Sequence, residues 1–591
     1  MNTSRATLLH APAPELDALS FAHPAPESVG EWIGRLPMAN VPEAAGQLRQ
    51  ATFEIARLDT DWATRMALLE GIRPTILYLS ARLDKAANTA GNQADAIARL
   101  AQRLQTNLCS GYNAVVLAAR EQAESDPEAL RTVSLGVHRA LSDLSRTLMR
   151  TLQYYVAPAD KLWLKLNQLY LLAEELGIDA ELHADSENRF KQDLSIRSAY
   201  TRSLLLALAR PYQLRHRQLA EVFTAIGSWV QLVALGQDDA SHVYSVDLCS
   251  DQGPAWSDSF TARDCSRSID LSVLIYELEA YLREMDGNLS IPPGIDDTLI
   301  HHLAGAWGEM KPRAFGRSSA ENPLKVCVGL RAAHYFFSGA TEFADLLGNG
   351  VTAREINPFL NDQVRFLPNA GERKDVWEDA FDVGGKIPEN QNIGDPDTVL
   401  YAHEPSGRSD PGESYRHYDT TTADMSPGGY RLRWNEPLPP ALQTGELIGL
   451  RDETDPRWCL AVARWIRQDE AGPHMGVELL APQAKPVAVR IIQTKGGQPE
   501  YQRAFLLPEL KPIGRPATLI TPATPFESGQ KVHLSDDGTQ NTAQLGDCLL
   551  KTESFNQFTF RVLDGYLEKP SRQPNMVKQT EFTNNQLTGF R

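Results

Sequence analysis

A short stretch near the C-terminal third, residues 424–434, combines groups suited to holding a small ligand with a strand that would support them. Asp424 offers a carboxylate that only accepts hydrogen bonds, and Ser426 offers a hydroxyl two positions later. The glycine pair that ends at Gly429 lets backbone approach a ligand, because glycine has no Cβ to clash. These groups bind rather than break bonds, so they predict a small-molecule clamp.

The residues that follow the glycine pair alternate as in a half-buried strand, with aromatic or aliphatic side chains on one parity and arginines on the other. The apolar set is Tyr430, Leu432 and Trp434, and the basic set is Arg431 and Arg433. One face of this strand is expected to pack on a core while the other carries positive charge. A simpler alternative stays open, in which the acidic and hydroxyl residues before it form an ordinary side-chain-capped turn.

Length and composition indicate a globular chain of several domains. The 591 residues are 42% hydrophobic and 23% charged, and domains of ordinary size would number about three to five. A net charge of -17 argues against a DNA or RNA partner, because such binding draws most of its affinity from neutralising phosphates. A local basic pocket for a small anion remains compatible with this total.

The cysteines and the apolar runs suggest a cytoplasmic protein. No Cys-x-x-Cys occurs, so the six cysteines are expected to be reduced and mostly buried thiols. They are Cys109, Cys249, Cys265, Cys327, Cys459 and Cys548. The N-terminus lacks the apolar segment of a signal peptide, and no apolar run approaches the roughly 20 residues of a transmembrane segment.

The N-terminal half is predicted to be all-α. Residues 1–28 are proline-rich and poor in large apolar residues, which predicts a flexible segment. Residues 29–237 are predicted to form a helical bundle or solenoid, because apolar side chains recur at three- and four-residue steps over 63–85 and 95–120. Pro74 is expected to kink or split the first of these helices.

One helix in this half carries an aromatic pattern. Trp163, Leu166 and Tyr170 have the spacing of the first helix of a tetratricopeptide repeat, but no second copy follows. The alternative is an aromatic stripe packed inside a helix bundle.

In the C-terminal half the sequence pattern changes from helical periodicity to short strands and turns. The chain as a whole is therefore predicted to have an α+β multidomain fold. We predict a mixed α/β connector over 238–311 and an antiparallel β-barrel over 312–485, with a loop-rich, partly disordered insertion at about 340–422. Short strands separated by glycine and proline then predict a further small β domain over 486–567. Residues 568–591 are expected to be a flexible tail.

Two motifs in the barrel region, Arg313-x-x-x-Arg317 and Asp424-x-Ser426-x-x-Gly429, resemble the signature motifs of the PilZ domain. That family consists of small β-barrels that bind the bacterial second messenger cyclic di-GMP. The strand patterns over 445–480 also follow the family's order. The resemblance covers about 312–482 and leaves the helical half outside it.

The resemblance implies roles for the motif residues. Arg313 and Arg317 would hold the phosphates and the guanine Hoogsteen edges, since a guanidinium fork matches both groups. Asp424 would accept hydrogen bonds from guanine N1 or N2, Ser426 would donate or accept nearby, and Gly429 would supply backbone conformation more than contact.

The two motifs lie more than a hundred residues apart, farther than in the family. Loop closure entropy rises slowly with length, so an expanded loop between them is tolerable. In the alternative, Arg313 and Arg317 pair with Glu309 and Glu321, and the barrel is a degenerate module that binds only protein.

Catalytic and metal-binding patterns are missing from the sequence. It contains no Gly-x-x-x-x-Gly-Lys, Gly-x-Ser-x-Gly or His-Glu-x-x-His motif. Adjacent His301 and His302 fall on a predicted helix, where they point about 100° apart and do not face one metal. We therefore expect no enzyme, no metal site and no cofactor.

The sequence and the resemblance together predict a cytoplasmic cyclic di-GMP receptor. Its helical half would transmit the signal to a protein partner, in motility, adhesion or biofilm control by resemblance. The alternative is a PilZ-like scaffold that mediates protein interaction without binding nucleotide.

Overall fold

A computed structural model describes most of the chain. The described residues are 9–87, 94–184, 193–237, 240–261, 263–285, 289–308, 316, 318–319, 321–347, 415–426, 428–453, 455, 457–493, 499–509, 516–536 and 539–563. The fold is a helical N-terminal half followed by a small antiparallel sheet with two helices and by two closed antiparallel barrels. Within these residues no helix has the length and apolarity needed to cross a membrane.

The described residues of the helical half form eight α-helices. They are α1 (Pro26–Ile33), α2 (Val41–Arg57), α3 (Trp62–Ala87), α4 (Ala94–Arg120), α5 (Pro127–Gln153), α6 (Leu162–Glu175), α7 (Ile196–Leu208) and α8 (His216–Trp229). Asp126 caps α5 by accepting from the backbone N–H of Glu128, and Pro127 at the first turn suits a helix start. Pro74 lies inside α3, which continues through it rather than splitting. A two-stranded ribbon, β1 (Leu182–His183) and β2 (Leu194–Ser195), precedes α7.

Two ion pairs join α3 and α5, one of them inside the apolar core. Arg73 and Asp143 are both buried and lie 2.8 Å apart, and Arg150 reaches Asp84 at 2.7 Å. Removing one partner of such a buried pair leaves an uncompensated charge and is strongly destabilising. These pairs therefore fix how the two helices face each other.

Residues 9–28, the described part of the segment expected to be flexible, contact the helical core at a few positions. Leu9 and Leu19 are buried in the helical core. The backbone N–H and the hydroxyl of Ser20 both donate to the Glu54 carboxylate, at 2.7 and 2.6 Å. These contacts attach the described part of this segment to the helical half, and its flexibility stays a prediction.

Helix α6 uses its aromatic stripe for internal packing. Trp163 is buried beneath the backbone of Gly253, where an added Cβ would lie 2.7 Å from the indole. The Asn167 amide donates to the carbonyls of Asp247, Ser250 and Gln252. The packed-stripe alternative is therefore the one the structure supports.

A four-stranded antiparallel sheet follows the helices, with strand order β3-β6-β4-β5. Its elements are β3 (Ala234–Gly236), β4 (Ala240–Asp247), β5 (Ala255–Phe260), β6 (Ser266–Asp270), α9 (Ser272–Leu282) and α10 (Asp297–Trp307). The Tyr244 hydroxyl donates to the carbonyl of Ala306 at 3.1 Å and ties the sheet to α10.

The expectation of six reduced thiols is wrong for one pair. Cys249 and Cys265 form a disulfide. Asp247 and Ser266 pair at the end of β4 and the start of β6, and just beyond this pair the Cα atoms of Cys249 and Cys265 lie 5.7 Å apart. Strand pairing brings the two cysteines within bonding range, and their spacing in the sequence does not reveal that pairing.

The first barrel is closed by antiparallel pairing of six strands. A seventh, short strand, β7 (Ser318–Ser319), precedes these six, which are β8 (Pro323–Val328), β9 (His417–Ser426), β10 (Gly429–Trp434), β11 (Leu447–Asp452), β12 (Cys459–Asp469) and β13 (Gly472–Ala481). Closure follows because β10 pairs with both β13 and β9, while β8 joins β9 to β11. The short β7 continues along the edge of β9 beyond β8. Of the insertion expected at 340–422, residues 348–414 lie outside the described residues, and its C-terminal end is β9.

The second barrel is also closed and six-stranded, in the order β14-β15-β16-β19-β18-β17. Its strands are β14 (Lys485–Ile491), β15 (Gln502–Leu507), β16 (Thr518–Pro522), β17 (Lys531–Asp536), β18 (Thr539–Lys551) and β19 (Phe555–Val562). Two further helices precede it in the chain, α11 (Gly329–Phe337) and α12 (Phe343–Leu346). Phe343 and Leu347 pack on Ala488 and Tyr501. The tail predicted at 568–591 lies outside the described residues.

Candidate ligand-binding face of the first barrel

The acidic motif lies at the end of a hairpin rather than in a loop. Asp424 and Ser426 belong to β9, and Ser426 pairs with Gly429 of β10, so only two residues connect the strands. The Ser426 hydroxyl donates to the carbonyl of Gly429 at 3.0 Å. This hydrogen bond leaves the lone pairs of the hydroxyl available to a donor on a ligand.

Gly429 is required by the neighbouring strand. An added Cβ at this position would lie 2.0 Å from the carbonyl oxygen of Val477 in β13. Nothing lies within 4 Å of the equivalent position on Gly428. The glycine at the end of the motif therefore permits the β10–β13 approach that closes the barrel.

The predicted alternation in β10 is confirmed. Leu432 and Trp434 are buried in the barrel core and Tyr430 packs against it. Arg431 and Arg433 lie on the opposite face, the face of Asp424, because Arg431 pairs directly with Asp424. A carboxylate and two guanidinium groups thus share the outer surface.

Cross-strand register extends this surface into a row that ends in an aromatic ring. Asp424 lies opposite Arg431, Arg431 opposite Gly476, and Gly476 opposite Trp465. The indole of Trp465 covers Gly476, where an added Cβ would lie 1.9 Å from Nε1. Sequence reasoning missed Trp465, because only strand pairing places it beside the acidic motif.

The edge of β9 next to Asp424 is occupied by β7. Ser318 pairs with Met425 and Ser319 with Asp424. Arg313 and Arg317, the sequence-predicted partners of the acidic motif, lie outside the described residues. The alternative pairing of these arginines with Glu309 is outside them as well.

A closed antiparallel barrel with an Asp-x-Ser-x-x-Gly hairpin and a charged outer face defines a PilZ-type domain. A family model described as the middle PilZ domain of the cyclic-di-GMP receptor FimW matches residues 243–486. Models for the FimW N-terminal domain and the FimW C-terminal beta-barrel domain match 27–240 and 487–563.

A curated relative agrees with these matches. The cyclic-di-GMP receptor FimW of Pseudomonas aeruginosa is 31% identical, over 97% of this chain and 96% of that protein. This chain therefore belongs to the FimW family of PilZ-domain proteins. No solved structure matches it.

Proposed function

We propose that this protein is a receptor that binds cyclic di-GMP on the outer face of its first barrel. The observation that carries the proposal is the pairing of β7 with β9 beside Asp424. Ser318 and Ser319, which directly follow the arginine motif in the sequence, pair with Met425 and Asp424 of β9. The separation of the two motifs in sequence is then no obstacle to a shared site.

Each motif residue would meet the ligand through its own chemistry. Arg313 and Arg317 would hold the phosphates and guanine O6/N7 edges, and Asp424 would accept from a guanine N–H. Ser426 would accept rather than donate, because its proton is already bonded to Gly429. Gly429 would act through the β10–β13 approach and make no ligand contact.

Trp465 would add a stacking surface at the far end of the same row. Every base has a π-face, so an indole beside the acidic motif can bind a guanine ring without reading its edge. The ring is only partly buried, which leaves area for contact. The carboxylate and the indole would then hold different parts of one nucleotide.

Titration calorimetry with cyclic di-GMP tests the site. We expect the unaltered protein to bind, and Asp424→Asn to lower the affinity about tenfold or more, because a hydrogen bond to a charged group contributes roughly 1.5–3 kcal/mol. Asp419→Asn is the matched control on the same strand, an exposed carboxylate whose ion-pair partner is Lys325. The proposal fails if the unaltered protein gives no binding heat, or if the two variants bind alike.

We also propose that the helical half passes the bound state to a protein partner. The turn after α5 is bonded to the β12–β13 hairpin: Gln468 donates from its backbone to the Tyr155 carbonyl, and its own carbonyl accepts from Ala157. Arg215 of the helical half pairs with Glu446 of the barrel at 2.8 Å. This junction lies three residues along β12 from Trp465.

Hydrogen–deuterium exchange measures that coupling. Cyclic di-GMP is expected to change exchange in peptides covering 153–157 as well as those covering β9 and β10, because β12 and β13 join the two regions. Protection confined to the barrel would contradict transmission through this junction while leaving ligand binding intact. A receptor of this kind would act in the bacterial cytoplasm, the compartment expected from the sequence.

A further inference from the structure

A second polar row crosses the first barrel next to the row of Asp424. Arg433 pairs with Thr421 on one side and with His474 on the other, and His474 pairs with Arg467. Arg433 is two positions after Arg431, so the rows share one face and lie about 6.6 Å apart along the strand. Strands β9, β10, β13 and β12 all contribute to it.

Three buried polar atoms in and beside this row have no hydrogen-bond partner. They are Thr421 Oγ1, Arg431 Nε and His474 Nδ1. His474 as a whole is only 6% exposed. Buried polar groups in folded proteins are usually paired, so these three atoms leave hydrogen-bonding capacity on one face that a polar ligand could use.

The charge of the patch indicates the sign of that occupant. In the described part of the chain neither Arg431 nor Arg433 forms an ion pair, although Asp424 lies opposite the first of them. In the second row, the carboxylate of Asp469 lies 3.5 Å from Arg467 and 3.9 Å from His474. Guanidinium groups therefore outnumber the carboxylates close to them.

His474 reports the same imbalance. Burial lowers the pKa of its imidazole, and the positive charges of Arg431, Arg433 and Arg467 lower it further, against the opposing effect of Asp469. All three arginines therefore lie close enough to act on one buried ring. The Arg467 guanidinium also lies over the ring of Tyr212, 5.5 Å from its centroid.

We propose that Arg431, Arg433, Arg467 and His474 form a phosphate-binding subsite on the outer face of the first barrel. The forked, permanently charged guanidinium matches phosphate oxygens bidentately, and the imidazole and the threonine hydroxyl supply additional hydrogen bonds. Its place one row from Asp424 suits a phosphate of the same dinucleotide. As a subsite for a phosphate of cyclic di-GMP, this proposal rests on the proposed receptor function. As a site for free inorganic phosphate, it is independent of that function.

The test replaces two exposed arginines that hold no part of the acidic motif. Cyclic di-GMP and, separately, inorganic phosphate are titrated into the full chain and into the double variant Arg433→Gln/Arg467→Gln. Arg457→Gln is the matched control, because Arg457 is an exposed arginine of the same barrel paired with Asp455 at 2.7 Å. Circular dichroism confirms that each variant is folded, and Arg433→Lys with Arg467→Lys keeps the charge should the double glutamine variant unfold.

We expect the double glutamine variant to lose at least about tenfold in cyclic di-GMP affinity and to show a shallower salt dependence, while the control binds as the unaltered protein does. Loss of phosphate binding alone would support the subsite and assign it to a free anion. Should the unaltered protein bind phosphate but no dinucleotide, and the variant neither, the subsite stands and the receptor function fails. Unchanged binding of both probes by the double variant overturns the subsite.

Discussion

The two barrels of this protein share an architecture and differ in what covers their outer faces. Both are closed, six-stranded and antiparallel. In the second barrel, the arginines of β14 and β15 lie over aromatic rings: Arg490 is 4.6 Å from the Tyr501 ring and Arg503 4.7 Å from that of Phe343. In the first barrel, by contrast, neither Arg431 nor Arg433 lies over an aromatic ring within the described residues, and Arg431 lies opposite Asp424.

This difference shows that the barrel itself does not specify ligand binding. In the second barrel, the rings of Tyr501 and Phe343 pack against the arginines of one face. The outer face of the first barrel instead presents a carboxylate, two arginines and an indole in register. Function therefore resides in the side chains that the strands present, as is general for widely used folds.

The largest expected effect breaks the first barrel alone. Gly429→Ala places a Cβ 2.0 Å from the Val477 carbonyl, a backbone atom that cannot move aside cheaply. We expect a loss of about 3 kcal/mol, at the upper end for overpacking, together with loss of cyclic di-GMP binding. Gly428→Ala is the control, since its Cβ meets nothing within 4 Å. Equal stability of the two variants in denaturant unfolding would show that the β10–β13 approach is not the constraint.

A core deletion in the second barrel sharpens the contrast. Phe343 is 5% exposed and packs on Ala488 and Tyr501, so Phe343→Ala is expected to cost about 3 kcal/mol locally. Cyclic di-GMP affinity should stay unchanged, because the proposed ligand face belongs to the other barrel. Hydrogen exchange resolves the loss by region, and Leu549→Ala, at a position 55% exposed, should cause almost none. A parallel fall in ligand affinity would mean that the two barrels are coupled.

Acid should destabilise two regions through separate histidines: the junction of the helical half and the first barrel through His216, and the second barrel through His334. Burial lowers the pKa of His216 and that of His334 from 6.5 to about 4. Below pH 6.5 the unfolded chain binds protons that the folded chain excludes. Stability is therefore full above pH 6.5 and falls as the pH drops toward 4, by up to about 3 kcal/mol at each site.

The histidine variants separate the two contributions. The His216 ring contacts those of Tyr154 and Tyr155 at the junction, with centroids 5.4 and 5.2 Å away, so His216→Gln should remove the acid sensitivity of peptides covering 153–157. The second barrel should keep its own sensitivity, measured by hydrogen exchange at pH 7 and 5. Acid-induced opening of the junction that persists in this variant would assign the effect to other groups.

The smallest effect concerns affinity without stability. Trp465→Leu removes the stacking surface, which is worth roughly 1–3 kcal/mol per base, so affinity for cyclic di-GMP should fall about tenfold. The melting temperature should change little, because the ring is only partly buried. An unchanged affinity would remove Trp465 from the site.

Much of the fold was predictable because its periodicity is strong. The long helices, the parity of β10 and most C-terminal strands follow from apolar spacing. Strand β9 was missed because its threonines look polar in sequence. Thr420 and Thr422 are nevertheless buried, and the Thr420 hydroxyl is satisfied by the Leu324 carbonyl.

The candidate site was predictable only as separate pieces. The motif residues could be named, but the rows that join Asp424 to Trp465 and Arg433 to His474 depend on register between strands distant in sequence. The disulfide between Cys249 and Cys265 was missed for the same reason. Pairing between remote segments is set by tertiary closure, which local patterns do not encode.

One measurement tests most directly whether the two motifs share a site. A double-mutant cycle combines Arg317→Lys with Asp424→Asn and measures cyclic di-GMP affinity by calorimetry for all four proteins. The account predicts that each change weakens binding and that the double variant departs from additivity by more than about 0.5 kcal/mol, because both side chains contact one ligand. Strictly additive losses, or no loss from Arg317→Lys, would contradict it.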